Sequence, residues 1–287
     1  MFAIIGIVVV FGGVITGFLV AGGKLMVLVQ PSEFITIGGA VLGAFFIGTP
    51  PHQLKNILAM LPKVFTGGGH GASMEILKIL FEIFQMARVG GILTLEQHVE
   101  KPDASALFQK YPVIMNDHGL LNFLCDSLKI LVVGSVSPHD LESLMEADLA
   151  TQEEDALYPS HSFATIGDAL PGLGIVAAVL GIVITMGSIG GDVTAVGHHV
   201  AAALVGTFLG VLGSYGFVQP ISANLKHIGE NKLVLFICIK NGIVAFAKGQ
   251  APTIAVEFAR RSIPEHERPS FTEMDQAFKA LKSEAKK

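Results

Sequence analysis

Apolar and polar residues along this chain are separated on a scale of tens of positions. Residues 2–23 and 34–54 contain no Asp, Glu, Lys or Arg, and residues 169–225 carry one charge, Asp192, in a Gly-containing break. A bilayer core about 30 Å thick needs roughly 20 apolar residues in helical form, because every backbone polar group in hydrocarbon must be paired within the segment. Four runs meet that demand, at about residues 2–22, 34–50, 171–190 and 200–221. The pattern predicts an all-α polytopic membrane protein whose four transmembrane helices come as two pairs, with a charged helical region between them.

The intervening segment reads as helix. Ile76, Leu77, Ile79, Leu80, Ile83 and Phe84 recur at spacings of three and four, as do Leu120, Leu121, Leu124, Leu128 and Leu131, and each set makes one apolar face. Thr94 with Gln97, Ser137 with Asp140, and Ser270 with Glu273 have the spacing of helix N-terminal caps, and Pro138 suits a first helical position. Residues 67–71 read as a hinge or turn, and residues 234–247 as a helical continuation of span four. The domain plan is therefore 1–50 for the first span pair, 51–165 for a cytoplasmic helical domain, 166–222 for the second span pair, and 223–287 for a cytoplasmic helical extension and tail. No strand pattern is visible.

Composition agrees: 51% of residues are hydrophobic and 15% charged, against about a quarter charged in soluble domains, and the mean hydropathy is +0.60. A net charge of −5 gives no reason to expect a nucleic-acid partner. Loop charges set the orientation. Lys24 is the sole basic residue between the first two spans, whereas Lys55 and Lys63 follow span two, and Lys226 and Lys232 follow span four. The positive-inside rule places both termini, the central segment and the tail in the cytoplasm.

Candidate chemistry is sparse. The two cysteines, Cys125 and Cys238, sit among apolar neighbours and read as buried thiols. The histidines are scattered, and the adjacent pair His198–His199 at a span end reads as solvated rather than metal-binding. No nucleophile motif is visible, so the chain reads as a non-enzyme without a cofactor. The interiors of the spans as drawn contain no carboxylate, the group with which ion-conducting proteins usually carry their cargo. Thr185, Ser188, Thr207, Ser214, Tyr215 and Gln219 remain. Their hydroxyls and amide either line a path or bond back to their own helix carbonyls. If ions cross here, a partner supplies the carboxylate. Small residues four apart, Gly13/Gly17, Gly39/Gly43, Gly174/Ala178 and Gly206/Gly210, favour close helix approach. Pro171 and Pro220 stand near the same ends of spans three and four, as hinges or as simple helix boundaries.

Several of these stretches resemble one family. Gly167-Asp168-Ala169-Leu170-Pro171-Gly172-Leu173-Gly174-Ile175-Val176-Ala177-Ala178 is similar to the third-span signature of MotA-type flagellar stator subunits. Leu204-Val205-Gly206-Thr207-Phe208-Leu209-Gly210, with Tyr215-Gly216 and Pro220, resembles their fourth span. Ile254-Ala255-Val256-Glu257-Phe258 and Glu267-Arg268-Pro269-Ser270-Phe271 resemble their tail, and Gly22-Gly23 through Gln30-Pro31 and Glu33 their first pair. The resemblance runs in order over nearly the whole chain.

The resemblance implies a subunit of the motility machinery in the bacterial inner membrane. It would turn proton or sodium flux into torque, as a pentamer around two copies of a MotB-type, peptidoglycan-anchored partner that brings the ion-carrying Asp. It also implies that Arg88 and Glu96 face the rotor protein FliG, and that Pro171, Ala178, Thr207, Tyr215 and Pro220 belong to the ion path and its coupling. Sodium-type members place a Thr where this chain has Ala178, so the resemblance favours protons over sodium; Thr207 matches the family's other Thr. The competing readings are an ExbB/TolQ-like energiser, expected to have three spans, and a non-conducting membrane scaffold.

Overall fold

The computed structural model describes residues 2–66, 72–187 and 193–284. The expected turn at 67–71, Asp192 with its break, and Ser188 fall outside the described residues. Among those described, every regular element is helical, as the hydrophobic pattern predicts. The helices are α1 (Phe2–Val20), α2 (Leu25–Leu28), α3 (Pro31–Gly48), α4 (Pro51–Thr66), α5 (Ala72–Gly90), α6 (Glu96–Glu100), α7 (Pro112–Met115), α8 (His118–Val133), α9 (Pro138–Gly187), α10 (Val193–Val211), α11 (Gln219–Ala247), α12 (Pro252–Arg261) and α13 (Phe271–Glu284). Short 3-10 turns lie between α5 and α7, and the π-helical stretch Leu212–Val218 joins α10 to α11. Four stretches are long and apolar enough to cross a membrane: Phe2–Val20, Leu25–Gly48, and the apolar parts of Pro138–Gly187 and His199–Ala247.

The chain divides into two compact units. One comprises Met1–Gly68 and Leu157–Ile228, the other Gly69–Ala156 and Gly229–Lys287. The first unit is built from the apolar runs and buries little large side-chain surface. Its core is Ile37, Leu170 and Ala177, with Val41, Ile166, Leu209 and Val218 packed around them. Helix α1 buries none of its residues and exposes Phe2, Val8, Val9 and Val20. Exposed apolar surface on this scale is at home in hydrocarbon or against another subunit.

The second unit has the larger core, with Ile76, Leu77, Ile79, Leu80, Ile83 and Phe84 of α5 fully buried. Phe81 stacks on Phe278 of α13 at 4.0 Å, and Phe84 stacks on Phe246 of α11 at 4.6 Å. Phe123 of α8 meets Phe236 of α11 edge-on at 5.2 Å. Asp117 caps α8 by accepting from the Gly119 and Leu120 amides, and Gly134 (φ 69°) ends it in the left-handed region that favours glycine. The expected caps at Ser137–Asp140 and Ser270–Glu273 are both present. The Asp140 amide donates to Ser137 Oγ at 3.2 Å, and the Ser270 amide donates to the Glu273 carboxylate at 2.7 Å. Thr94 does not cap a helix. It lies within a 3-10 turn, and its hydroxyl donates to the Gly91 carbonyl at 2.7 Å, so the hydroxyl is satisfied before α6 begins. Both cysteines are free and buried, and burial pushes the Cys125 thiol up to about 12.

Candidate functional site

The expected ion-path residues all fall in the first unit, on the second half of α9, on α10, on the π-helical stretch and at the start of α11, and the helices meet there along a seam. Glycine sets the distance there. A Cβ on Gly174 would lie 2.9 Å from the Gly206 carbonyl oxygen and 3.0 Å from Gly210 Cα. A Cβ on Gly210 would lie 2.6 Å from the Leu170 carbonyl oxygen. The two backbones therefore touch at the spacing that small residues four apart allow. Gly13, Gly17, Gly39 and Gly43 behave differently: among the described residues nothing beyond the local helix backbone lies within 4 Å of a Cβ on any of them.

Below the glycines the seam becomes polar. Pro171 sits inside α9 and has no amide proton, so it cannot donate to the carbonyl of Gly167, one turn earlier. That carbonyl instead accepts from Ser214 Oγ of the π-helical stretch, at 2.6 Å. Gln219 Nε2 donates to Asp168 Oδ1 at 2.7 Å. Ser160 and Ser222 exchange hydrogen bonds, each hydroxyl donating to the other's backbone carbonyl, at 2.9 and 2.8 Å. The π-helical stretch sits next to Pro220, and the Gln219 amide donates five residues back, to the Ser214 carbonyl. Pro220 has no amide proton to donate to the preceding turn, and its ring crowds that turn. The wider π turn gives that ring room, and such bulges recur at functional sites.

Pro171 is half-buried, Ala178 buried, Thr207 half-buried and Pro220 exposed, while Tyr215 is 68% exposed. Ala178 and Thr207 each follow directly on a residue of one close contact, the Cβ of Ala177 lying 3.4 Å from the Cβ position on Gly206. Thr185 takes no part in the seam, because its hydroxyl bonds back to the Gly181 carbonyl at 2.8 Å. Arg88 lies in the last turn of α5 and Glu96 opens α6 in the other unit. Both are exposed, beside the exposed Val89 and Leu93.

Two features were missed from sequence. The Ser214–Gly167 and Ser160–Ser222 bonds join positions far apart in the chain and have no local signature. Glu33 is a correction to the reading that the spans contain no carboxylate. The uncharged run of span two starts at residue 34, but α3 begins at Pro31 and carries Glu33 inward in its first turn, where it is 6% exposed. The signal was present, since Pro at the first helical position places the third residue, Glu33, inside the helix.

The chain matches two family descriptions in succession: "Motility protein A N-terminal" over residues 4–91 and "MotA/TolQ/ExbB proton channel family" over residues 116–235. It is 36% identical to the chemotaxis protein LafT of Vibrio parahaemolyticus over 273 residues, covering 94% of this chain and 96% of LafT. It is likewise 36% identical to motility protein A of Escherichia coli over 285 residues, covering 99% and 97%. Among solved structures, the Campylobacter MotAB structure ("C. jejuni MotAB") superposes with a TM-score of 0.74 at 21% identity, covering 94% of this chain and 98% of its own. The flagellar MotAB stator complex of Bacillus subtilis gives 0.73 at 23% identity, covering 95% and 100%. At these identities the two structures establish the shared fold.

Proposed function

The chain belongs to the motility protein A branch of the MotA/TolQ/ExbB proton-channel family and is a flagellar stator subunit, and from that premise we propose how it works. It joins a MotB-type, single-span, peptidoglycan-anchored partner in the bacterial inner membrane, with both of its own termini in the cytoplasm. Five copies surround two partner copies. The partner brings the Asp that carries the ion, and the seam of α9 with α10 lines the path. Residues 1–50 and 166–222 form the membrane part, residues 51–165 the rotor-facing cytoplasmic domain, and residues 223–287 its helical extension.

The observation that carries this reading is the clasp around Pro171. A carbonyl released by one proline is held by a hydroxyl from the helix that bears the other, through one short hydrogen bond. Protonation of a nearby carboxylate changes the local charge by one, and a single exchangeable hydrogen bond is the kind of contact such a change can make or release. Pro171 and Pro220 then supply the bend, with Tyr215 on the exposed side of the π-helical stretch. Outside the membrane, Arg88 and Glu96 meet FliG as exposed charges. Ala178 offers a methyl group where a sodium path would want an oxygen ligand, and one hydroxyl on Thr207 replaces few lost waters, so protons are the coupling ion. The match of residues 4–91 to the motility-specific N-terminal family, with four spans, favours this over an ExbB/TolQ-like role. The test is proton flux in liposomes. Flux should require co-reconstitution with the Asp-bearing partner, and flux through this chain alone would overturn the assignment of the ion-carrying carboxylate.

A further inference from the structure

Glu33 has no place in the mechanism so far, yet its setting is unusual. Its side chain leaves the first turn of α3 and enters the space between two other helices. Oε2 occupies the volume that a Cβ on Gly206 of α10 would take, with the Ala177 methyl of α9 alongside. The carboxyl group thus lies where three helices meet, at the level of Ala178 and Thr207. Oε2 has no hydrogen-bond partner among the described residues. An unpaired polar atom held away from water is destabilising, and ionisable groups inside membrane helices are kept where they handle ions. Gly206 makes the seat, since any side chain there would evict the carboxyl group.

Among the described residues no ion pair involves Glu33. Helix α3 carries no other charged residue and α2 carries none, with Lys24 just before it. On the apolar half of α9 the charge is Asp168, already held by Gln219. On α10 the titratable residues are His198 and His199, and His199 is exposed. A metal cation would need several oxygen ligands to replace its water. At the seat itself the Ala177 side chain offers a methyl group and Gly206 no side-chain oxygen. A proton needs one oxygen.

We propose that Glu33 is a proton-binding residue of this stator subunit, seated against Gly206 on the outer approach to the path. A hydronium ion gives its proton to Oε2 and leaves as water. The neutral acid then passes the proton to water in the seam, toward the partner's carboxylate, and returns to its ionised form. The direction of transfer rests on the function proposed above; the protonation site itself does not.

Two measurements separate these claims. Infrared difference spectroscopy across a pH titration, on the purified full-length chain in lipid, reads protonated carboxyl groups directly and needs no motor. A titrating carboxylic-acid band should be present in the wild type, retained in E33D and absent from E33Q. Flagellar rotation with the complete stator should slow several-fold in E33Q and lose its dependence on external pH, with partial recovery in E33D. G206A, which keeps Glu33 but fills its seat, should reproduce the defect. Unchanged spectra in E33Q would overturn the proposal. So would E33Q, at normal membrane abundance, turning the motor at wild-type speed with the wild-type pH profile. If E33Q fails to accumulate, E33D and G206A decide: both matching wild type would overturn the proposal. A wild-type chain that drives no rotation but shows the band would contradict the motor reading and leave the proton site standing.

Discussion

Replacing Gly210 by alanine tests whether the α9–α10 seam is set by backbone contact. The added carbon would lie 2.6 Å from the Leu170 carbonyl oxygen and 2.9 Å from Gly174 Cα. Carbon–carbon contacts relax at about 3.5–4.0 Å, so the helices would have to part by roughly 0.6–1 Å. Both obstacles are backbone, and no rotamer change removes them. Overpacking of this kind costs about 1–3 kcal/mol. Alanine recovers roughly 0.5–1 kcal/mol of helix preference over glycine. The net expectation for G210A is a loss of about 1 kcal/mol at mid-range and up to roughly 2.5 kcal/mol. G43A is the control, because among the described residues nothing beyond the local helix backbone lies within 4 Å of a Cβ there and only the helix preference should be felt. Denaturant unfolding of the purified chain in micelles, followed by circular dichroism, measures both. Flagellar rotation should fail with G210A and persist with G43A. If the two alanines behave alike, or G210A matches wild type, the seam is not held by glycine.

Other outcomes follow from single contacts. S214A should destabilise by about 1–3 kcal/mol because it strands the Gly167 carbonyl, and the loss should shrink in a P171A background, where an amide returns to that carbonyl; unfolding of the double-mutant cycle reads the coupling. In the second unit, Glu257 is clamped by Arg260 and Arg261, and the hydrogen bond from Arg260 leads in holding its carboxyl at about 2 rather than 4.5. A depressed carboxylate stabilises fully above its unfolded value and loses that contribution as pH falls from about 4.5 towards 2; at roughly 1.4 kcal/mol per pH unit the whole is worth roughly 3 kcal/mol. Acid unfolding monitored by hydrogen exchange should therefore show E257Q weaker than wild type at neutral pH, with the difference vanishing near pH 2. Neutralising Arg88 or Glu96 singly should slow rotation modestly, since exposed charge contacts are worth about 0–1 kcal/mol. Reversing both should stop it at normal protein levels, as tethered-cell assays with immunoblots would show.

The four spans, the apolar faces of α5 and α8 and two of three caps were readable because each is a local pattern repeated over many residues. What was not readable depends on pairs. The Ser160–Ser222 exchange and the Ser214–Gly167 bond require knowing that α9 runs beside the π-helical stretch and the start of α11, and nothing near these serines says so. Among the glycine pairs, sequence spacing cannot separate Gly206/Gly210, which are closely approached by other helices, from Gly39/Gly43, which meet no other described element within 4 Å. Thr94 failed as a cap because its hydroxyl had a nearer acceptor in the Gly91 carbonyl. Glu33 was lost to a boundary drawn where the hydrophobic run begins, although Pro31 starts the helix earlier.

The most direct test is the rotation speed of tethered cells in which this chain and its Asp-bearing partner form the sole stator. Proton coupling through the Ala178–Thr207 level predicts a speed that falls with protonophore and is indifferent to external sodium at fixed pH and membrane potential. A speed that collapses when sodium is withdrawn, yet survives protonophore in alkaline medium, would contradict it.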